Sequence, residues 1–560
     1  MSSRAEYTLV RRIENAARRD RDHAVTFVVG NTEEVVSYRD LHRDAQGYAA
    51  ALQAHGIEPG DHVALLSPTT RPLVTAIQGV WLAGATLVVL PLPMRLASIE
   101  EFVAQTRQRI HSCDAKLVLV DEELAPFVVP EPDDPPMLQM KELSTGDPAD
   151  WRRPADDRDR LAILQFTSGS TSDPKGVMLP DRTLCANLDA IASVPALDAD
   201  DDVLVSWLPL YHDMGLVGLL ALPMSTGTPL VLGAPQDFTA KPSRWMEWIS
   251  KDGGTATAGP NFAYVLATRA LRNGPQLDLS TLRVALNGAE PIDADNMEDF
   301  VTAGERHGLR PGAVFPAFGM AEVSIGGTFP EPMRGMVTDC VDRRVLETER
   351  YAAPVEAGTT GSRRFALLGK AVPGLEIRIV DPDTGAVLKD REVGELEIRG
   401  TSVTSGYYKR PETNAELFHD GWLCTGDLAY LLDGELVVCG RIKDVIIVGG
   451  RNVFPEDVER AVGAVEGVRA GNVIAFGTVG ERGDRRRESL VVVAETRAED
   501  LVDLRHRVAE RVVETVGVPA RDIVLVAPGT LPKTSSGKLQ RSLCKQRYND
   551  GQLDPVGVDA

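Results

Sequence analysis

Helix-like segments alternate with short apolar strands along most of this chain, and that alternation limits the folds it can adopt. Ser37 is suited to cap a helix that runs through the Leu52 region and stops at Gly56, and residues 63–66 then form a buried strand. Further apolar strands are predicted at residues 117–120, 229–233 and 283–290. Because alternating helices and buried strands build parallel sheets covered on both faces, the sequence predicts an α/β fold with a large body of doubly wound sheets.

The longest apolar stretch, residues 73–93, is long enough to raise the question of a membrane span. Ala83, Gly84 and Ala85 divide it into a helix-like half and a half rich in valine and leucine. This division is typical of a buried helix that leads into a parallel strand. We therefore predict that the chain has no transmembrane segment.

The two ends of the chain carry weaker signals. Leu9, Ile13, Ala16 and Ala17 lie on one face of a short predicted helix, which we expect to dock on the protein surface rather than to anchor a membrane. The sequence around this helix has no apolar core of signal-peptide length. The residues from about 549 onward are expected to form a loose tail.

The charge balance and the cysteines exclude several classes of function. Lysine and arginine number 60 against 81 aspartates and glutamates, which gives a formal net charge of −21. Nucleic-acid binding draws its affinity from cations that neutralise phosphates, so this balance argues against a nucleic-acid partner. No two of the 6 cysteines stand in a C-x-x-C spacing. We therefore expect neither a zinc site nor a disulfide framework, and a cytoplasmic location.

The texture of the sequence changes near residue 365, where alternating strands replace the helix–strand pattern. We predict that these strands form a β-barrel-like subdomain, which completes a large N-terminal domain over residues 1–440. Residues 341–364 form a polar insertion in it. Residues 441–560 are predicted to form a small, mobile α+β lid domain.

The strongest local signal is an apolar strand, residues 161–166, that runs into a loop rich in serine, threonine and glycine. Backbone N–H groups and hydroxyls of such a loop can surround a polyphosphate, and a lysine adds charge. The loop lacks the spacing of a Walker A motif. The predicted phosphate-binding residues are Thr167, Ser168, Gly169, Ser170, Thr171, Lys175 and Gly176.

This loop, TSGSTSDPKG, is followed by other motifs in a fixed order: SWLPLYHDMGLVG, LNGAEPI, FPAFGMAE, LCTGDLAY, GRIKDVIIVGGRNVFPEDVE and LPKTSSGKLQR. In this order they resemble the adenylate-forming, or acyl-activating, enzyme superfamily. That superfamily includes acyl-CoA synthetases, luciferases, peptide-synthetase adenylation domains and fatty acyl-AMP ligases. The resemblance extends from about residue 37 to about residue 545.

The resemblance implies how ATP would be held. It places the backbone of the LNGAEPI segment along adenine, and Phe318 is suited to stack on the adenine face, where the superfamily usually has tyrosine. Glu322 is implied as the ligand of Mg²⁺, an ion that usually takes one or two carboxylates together with phosphate oxygens. The implied ATP-binding residues of these two motifs are Gly288, Ala289, Glu290, Phe318, Gly319 and Met320.

Two further motifs complete the implied catalytic set. Asp427 offers paired acceptors for the ribose hydroxyls, and Arg441 resembles the arginine that contacts the ribose. Lys443 matches the hinge on which the small domain swivels. Lys538 is the predicted catalytic lysine, because an ammonium can stabilise the charge that develops when a carboxylate attacks the α-phosphate.

The acyl pocket is less clearly marked. His212 and Asp213 could do acid–base work, but the resemblance favours a gate beside the acyl pocket at His212. Gly259 and Asn261 belong to a segment of small, uncharged residues against which an aliphatic tail can lie. Asp213 could instead meet the ammonium of an amino-acid substrate.

The sequence leaves two alternatives for the thiol that finally accepts the acyl group, the phosphopantetheine of a carrier protein and CoA. The wording of LPLYHDMGLVG, Ala321 before Glu322, and the 341–364 insertion all resemble fatty acyl-AMP ligases. In that branch the insertion is thought to restrain the small domain, and the acyl group passes to the phosphopantetheine of an acyl carrier protein or a synthase carrier domain.

Two local features keep other readings open. Gly449 and Gly450 resemble CoA ligases, so CoA remains an alternative acceptor. The basic run at Arg482 and residues 485–487 is either a solvated loop or a docking site for an acidic carrier. A different class, a non-catalytic protein that only binds adenylate, conflicts with the intact catalytic set.

Overall fold

The computed structural model of the protein describes residues 6–19, 23–92, 99–167, 175–448, 451–482, 485–534 and 537–556. The α-helices of these ranges are α1 (Leu9–Arg18), α2 (Tyr38–Ala54), α3 (Arg71–Leu82), α4 (Ile99–Ser112), α5 (Met140–Leu143), α6 (Asp181–Ser193), α7 (Leu222–Thr226), α8 (Pro235–Ala240), α9 (Ser243–Asp252), α10 (Asn261–Asn273), α11 (Ala294–Glu305), α12 (Arg343–Glu349), α13 (Pro411–Leu417), α14 (Pro455–Gly463), α15 (Leu501–Val516) and α16 (Arg541–Asn549).

The strands are β1 (Ala24–Val29), β2 (Thr32–Ser37), β3 (His62–Leu66), β4 (Thr86–Val89), β5 (Ala115–Val120), β6 (Met137–Gln139), β7 (Leu161–Phe166), β8 (Gly176–Pro180), β9 (Leu204–Ser206), β10 (Leu230–Gly233), β11 (Ala256–Gly259), β12 (Val284–Asn287), β13 (Val314–Pro316), β14 (Phe318–Gly319), β15 (Gly326–Phe329), β16 (Thr338–Asp342), β17 (Ser362–Ala366), β18 (Lys370–Ala371), β19 (Leu375–Val380), β20 (Gly394–Gly400), β21 (Phe418–His419), β22 (Trp422–Leu432), β23 (Glu435–Arg441), β24 (Ile446–Val448), β25 (Arg451–Val453), β26 (Val468–Arg482), β27 (Arg485–Thr496) and β28 (Asp522–Val526).

Two large, mostly parallel sheets form the body of the molecule. The first has seven strands in the order β13-β12-β11-β9-β10-β1-β2 and is parallel except for the β1–β2 hairpin. The second has six strands in the order β6-β5-β3-β4-β7-β8 and is parallel except for β7–β8. Helices cover these sheets, and the two sheets share one continuous apolar core. The predicted doubly wound α/β fold is confirmed.

The helix–strand boundaries follow the local signals of the sequence. The Ser37 hydroxyl accepts a hydrogen bond from the Asp40 N–H and caps α2, as predicted. The apolar stretch 73–93 divides into the buried helix α3 and the buried strand β4. Among the described residues, no helix is both long enough and apolar enough to cross a membrane.

The predicted barrel-like region is a half-barrel sheet. Its path is β19-β20-β22-β21, with β23 paired to β22, and its neighbouring strands are antiparallel. The insertion at residues 341–364 differs from expectation, because α12 occupies its first part and β17 begins at Ser362. Asp342 accepts the N–H of Val345 and starts this helix, a cap that the polar composition concealed.

The last part of the chain has an apolar core of its own, made of residues from Ile446 to Leu525. It surrounds a sheet in the order β26-β27-β28, with α14 and α15 packed on it. This arrangement is compatible with the predicted small α+β domain, and the boundary near residue 441 stays a prediction.

The two ends of the chain differ in how well they were foreseen. Leu9, Ile13, Ala16 and Ala17 are buried on one face of α1, as predicted. The prediction of a loose tail from about residue 549 onward is wrong. The N–H of Val556 donates to the Leu525 carbonyl at 2.9 Å, and Leu553 is buried, so the chain packs against β28 well beyond residue 549.

Candidate active site

The predicted phosphate-binding loop connects β7 to β8 at the edge of the second sheet. The N–H of Thr167 donates to the carbonyl of Lys175 at 3.1 Å, so the two ends of the loop are held together. β8 begins at Gly176, directly after Lys175. Of the predicted phosphate-binding residues, Ser168, Gly169, Ser170 and Thr171 lie outside the described residues.

Lys175 points toward a buried tyrosine and a buried glutamate. Its ammonium lies 5.0 Å from the centre of the Tyr407 ring, within the range of a cation–π contact. The Tyr407 hydroxyl donates to Glu322 Oε1 at 2.7 Å. Tyr407 thus lies between Glu322, the predicted metal ligand, and Lys175, the lysine of the predicted phosphate-binding loop, and contacts both.

The predicted ribose-binding pair lies on adjacent strands. Asp427 on β22 faces Arg441 on β23, and Arg441 Nε lies 3.0 Å from Asp427 Oδ1. Burial raises the pKa of Asp427 to about 6, although Arg441 opposes that rise. The charge of Asp427 in turn raises the pKa of Arg441. Lys443 follows on the same segment, and its pKa is lowered by burial and then by Arg441.

The predicted adenine-binding segments have a tightly constrained backbone. Ala289 has φ +70°, a value that favours glycine. A Cβ on Gly319 would come within 1.9 Å of the Ile325 carbonyl oxygen, so only glycine fits there. Phe318 is half-buried beside Gly327, and the Met320 N–H donates to the Ile325 carbonyl. Gly288 packs against the Ala317 carbonyl.

Two acidic side chains act on the charge of Lys538. Burial lowers the pKa of its ammonium, while the charges of Asp213 and Glu290 oppose that change. Arg441 lowers the pKa of Lys538 as well, so one member of the predicted ribose-binding pair also acts on the charge of the lysine. The predicted catalytic lysine therefore shares one site with the predicted nucleotide-binding residues.

Glu290 also supports a neighbouring helix. Its Oε1 accepts the N–H of Phe262 at 2.8 Å, in the first turn of α10. Pro260 at the start of α10 offers no side-chain cap, so Glu290 supplies one from another loop. Burial raises the pKa of Glu290, and Lys538 partly opposes this.

His212 Nδ1 lies 2.6 Å from Asp213 Oδ1, and Lys538 acts on the charge of Asp213. Burial alone would raise the pKa of Asp213, but His212 and then Lys538 bring it below its usual value. A π-helix, Met214–Ala221, follows directly. Such helices occur often at functional sites.

The other predicted acyl-pocket residues have packing roles in this structure. A Cβ on Gly259 would lie 2.8 Å from the Trp245 ring, which leaves room only for glycine. The Asn261 side chain accepts hydrogen bonds from Asn287 and from the Asp293 N–H, both at 3.2 Å. Their predicted contact with an acyl chain stays a prediction.

Comparison with known proteins places this geometry in a family. A family model described as AMP-binding enzyme matches residues 13–408. The chain belongs to the AMP-binding enzyme family. The predicted membership of the adenylate-forming superfamily is thereby confirmed.

Relatives of this AMP-binding enzyme match it over nearly its full length. The putative ligase Rv1013 of Mycobacterium tuberculosis is 41% identical and covers 90% of this chain and 93% of its own. The medium-chain fatty acid–acyl-carrier-protein ligase JamA of Moorena producens is 31% identical and covers 95% and 93%. A structure from studies of fatty acyl-adenylate ligases of E. coli and L. pneumophila has a TM-score of 0.91 at 33% identity and covers 98% of this chain and 99% of its own.

Sequence reasoning missed Tyr407 as a member of this site. It lies in the segment Ser405-Gly406-Tyr407-Tyr408, which resembles an ordinary turn. Only the fold brings its hydroxyl to Glu322, which is 85 positions away in the chain. The Gly-Tyr-Tyr sequence after a strand was the one available signal.

The described side chains of this site could provide a divalent cation with one carboxylate, that of Glu322. Within the described ranges, no group of three or more His, Cys, Asp or Glu side chains could hold a metal. Tyr407 occupies one oxygen of Glu322. A single buried carboxylate with a remaining oxygen fits Mg²⁺ that is otherwise held by phosphates and water, and does not fit an all-protein cage.

Proposed function

We propose that this enzyme activates a fatty acid as its acyl-adenylate with release of pyrophosphate, and then passes the acyl group to the phosphopantetheine thiol of a carrier protein. One observation carries the proposal: Asp213, Glu290 and Arg441 all act on the charge of the Lys538 ammonium, and Arg441 Nε lies 3.0 Å from Asp427 Oδ1. A cation that faces the charge developing at the α-phosphate accelerates the joining of a carboxylate to AMP.

In the first half-reaction, a carboxylate oxygen of the fatty acid attacks the α-phosphorus of ATP. The bond from the α-phosphorus to the bridging oxygen breaks, and pyrophosphate leaves with that oxygen. A fatty acid is already ionised at neutral pH, so the attack requires no general base. Lys538 would stabilise the negative charge on the α-phosphoryl oxygens, while Lys175 would hold the phosphates that leave.

Other side chains orient the nucleotide and the acid. Asp427 and Arg441 would hold the ribose, and the segment around Gly288 and Phe318 would enclose adenine. Mg²⁺, bound by Glu322 and phosphate oxygens, would neutralise charge on the phosphates. His212, which contacts Asp213, would serve as the gate of the acyl pocket.

In the second half-reaction, a thiolate attacks the acyl carbonyl carbon and AMP leaves. The insertion favours a carrier protein over CoA as the source of this thiol. Arg451 Nε in the last part of the chain donates to the buried Glu347 of α12 at 3.1 Å, and Arg343 donates to the Thr515 carbonyl. These contacts hold the unit that carries Lys538 against the body and oppose its rotation toward a CoA-accepting arrangement.

The names of the relatives support the same substrate and the same acceptor. JamA is named as a ligase of medium-chain fatty acids with acyl carrier protein, and the similar structure quoted above comes from studies of fatty acyl-adenylate ligases. We extend the fatty acid and the carrier protein to this enzyme on that basis.

The test uses the purified full chain with ATP, Mg²⁺ and a panel of fatty acids. Pyrophosphate release and mass spectrometry of the bound product should show one acyl-AMP per active site. Addition of a phosphopantetheinylated carrier protein should discharge it faster than CoA does. Rapid acyl-CoA formation would instead favour a CoA ligase, and no pyrophosphate release with any acid would refute the proposal.

A further inference from the structure

We propose that Tyr407 is a positioning residue, which directs Glu322 toward the metal ion and joins it to Lys175 of the phosphate loop. The inference rests on the proposed function and adds a residue to the same site. Its hydroxyl lies 2.7 Å from Glu322 Oε1, in a buried contact. The ammonium of Lys175 lies over its ring, 5.0 Å from the ring centre.

The backbone around Tyr407 is fixed by contacts that do not involve its side chain. The N–H of Tyr407 donates to Asn414 Oδ1 at 2.7 Å, and Asn414 Nδ2 donates back to the Tyr407 carbonyl at 2.8 Å. Removal of the hydroxyl therefore leaves the backbone in place, and the effect of the hydroxyl can be measured alone.

The same segment is joined to the strand that leaves the phosphate loop. The N–H of Met178 donates to the Gly406 carbonyl at 3.0 Å, and the N–H of Tyr408 donates to the Gly176 carbonyl at 2.9 Å. Tyr407 and Val177 pair as an isolated β-bridge. The tyrosine thus keeps a fixed distance from the end of the loop that carries Lys175.

Glu322 is attached to this segment at two points. Its carbonyl accepts the N–H of Thr404 at 2.7 Å, and its carboxylate accepts the Tyr407 hydroxyl. The hydroxyl occupies Oε1, while Oε2 accepts no hydrogen bond from the part of the chain that the structure describes. A cation would therefore meet one oxygen in a defined direction. Outer partners of this kind change metal affinity by about 10–100-fold.

The test compares Tyr407→Phe with Tyr408→Phe. Both substitutions remove one phenol hydroxyl from adjacent residues, but the Tyr408 hydroxyl bonds Asp114 at 2.7 Å, away from Glu322. The probe is Mn²⁺, whose binding to the full chain with α,β-methylene-ATP is measured by electron paramagnetic resonance. This measurement needs no fatty acid, so its outcome is independent of acyl-adenylate formation.

We expect Tyr407→Phe to weaken Mn²⁺ binding about 10–100-fold, while Tyr408→Phe stays at the wild-type value. Equal Mn²⁺ affinity in wild type and Tyr407→Phe would overturn the inference, and so would an absence of Mn²⁺ binding by the wild type. If Tyr407→Phe unfolds while Tyr408→Phe does not, the residue is structural and the inference also fails.

Tyr407→Leu tests the role of the ring. It removes the surface beneath Lys175 in addition to the hydroxyl. At saturating Mn²⁺ we expect the Kd of α,β-methylene-ATP to rise about 2–5-fold relative to Tyr407→Phe, as for the loss of a partly shielded cation–π contact. An unchanged Kd would remove the link to Lys175 from the inference.

Discussion

Replacing Lys538 with alanine removes a cation on which the charges of two carboxylates, Asp213 and Glu290, act. Burial and Arg441 lower the pKa of this ammonium, while Asp213 and Glu290 favour its charged form. The substitution therefore removes the charge available to the α-phosphate. It also leaves the two carboxylates without this counter-charge, close to where an anionic acid must bind.

The expected loss follows from these neighbours. Removal of one preorganised donor to a developing oxyanion costs about 10²–10³-fold in kcat, or about 2.7–4 kcal/mol. Asp213 and Glu290 already offset part of the ammonium's field, so we do not expect more than this range in kcat. The uncompensated charge of Asp213, whose pKa His212 also helps to keep low, should in addition raise the KM for the fatty acid.

The assay is fatty-acid-dependent exchange of radiolabelled pyrophosphate into ATP. Lys533→Ala is the matched control, because Lys533 also lies near Glu290 but is exposed. Solvent screens such a charge, so the control should change the rate by no more than about twofold. An unchanged exchange rate for Lys538→Ala, or equal losses in both variants, would refute the assigned role.

Three further predictions concern the nucleotide, the insertion and the end of the chain. Burial raises the pKa of Asp427 to about 6, and the carboxylate must be ionised to accept the ribose hydroxyls. The KM for ATP should therefore rise as the pH falls through about 6. In Asp427→Asn this rise in KM should be absent, and a rise that persists would contradict the role of Asp427. Glu347→Ala removes the partner of Arg451 and should lower the free energy of unfolding by on the order of 3 kcal/mol. This is the lower end of the range for a broken buried ion pair, because Arg451 is partly exposed. Urea denaturation compared with Glu349→Ala, a change at an exposed position, measures the loss, and equal stability of the two variants would contradict it. Truncation after residue 549 should cost about 2 kcal/mol because it removes a buried leucine, and an unchanged melting temperature would show that this segment does not stabilise the fold.

The fold was largely predictable, because its signals are local. The cap at Ser37, the stop at Gly56 and the break at Gly84 each lie within a few residues of the boundary they set. The predicted strands at residues 117–120 and 229–233 are buried because their neighbours along the chain form covering helices. The order of the motifs then identified the family, which no single motif could have done.

The parts that were not predicted depend on contacts between distant residues. α12 begins at a cap, Asp342, in a segment whose polar composition is typical of a loop. The segment after residue 549 is held by β28, and nothing in its own sequence signals that pairing. Tyr407 enters the site only because its segment runs beside β8. The sequence contains these residues but does not show what they contact.

Glu290 has two partners, the first turn of α10 and Lys538, and would therefore link the proposed movement of Lys538 to proton binding. This carboxylate holds the first turn of α10 while it faces the ammonium of Lys538. Lys538 lowers the pKa of Glu290, so a rotation that withdraws the lysine raises that pKa further. Departure of the lysine thus favours proton uptake from solvent, and a protonated Glu290 is a weaker acceptor for the start of α10. The wall of small residues before that helix would then loosen at the stage when the finished acyl group must leave.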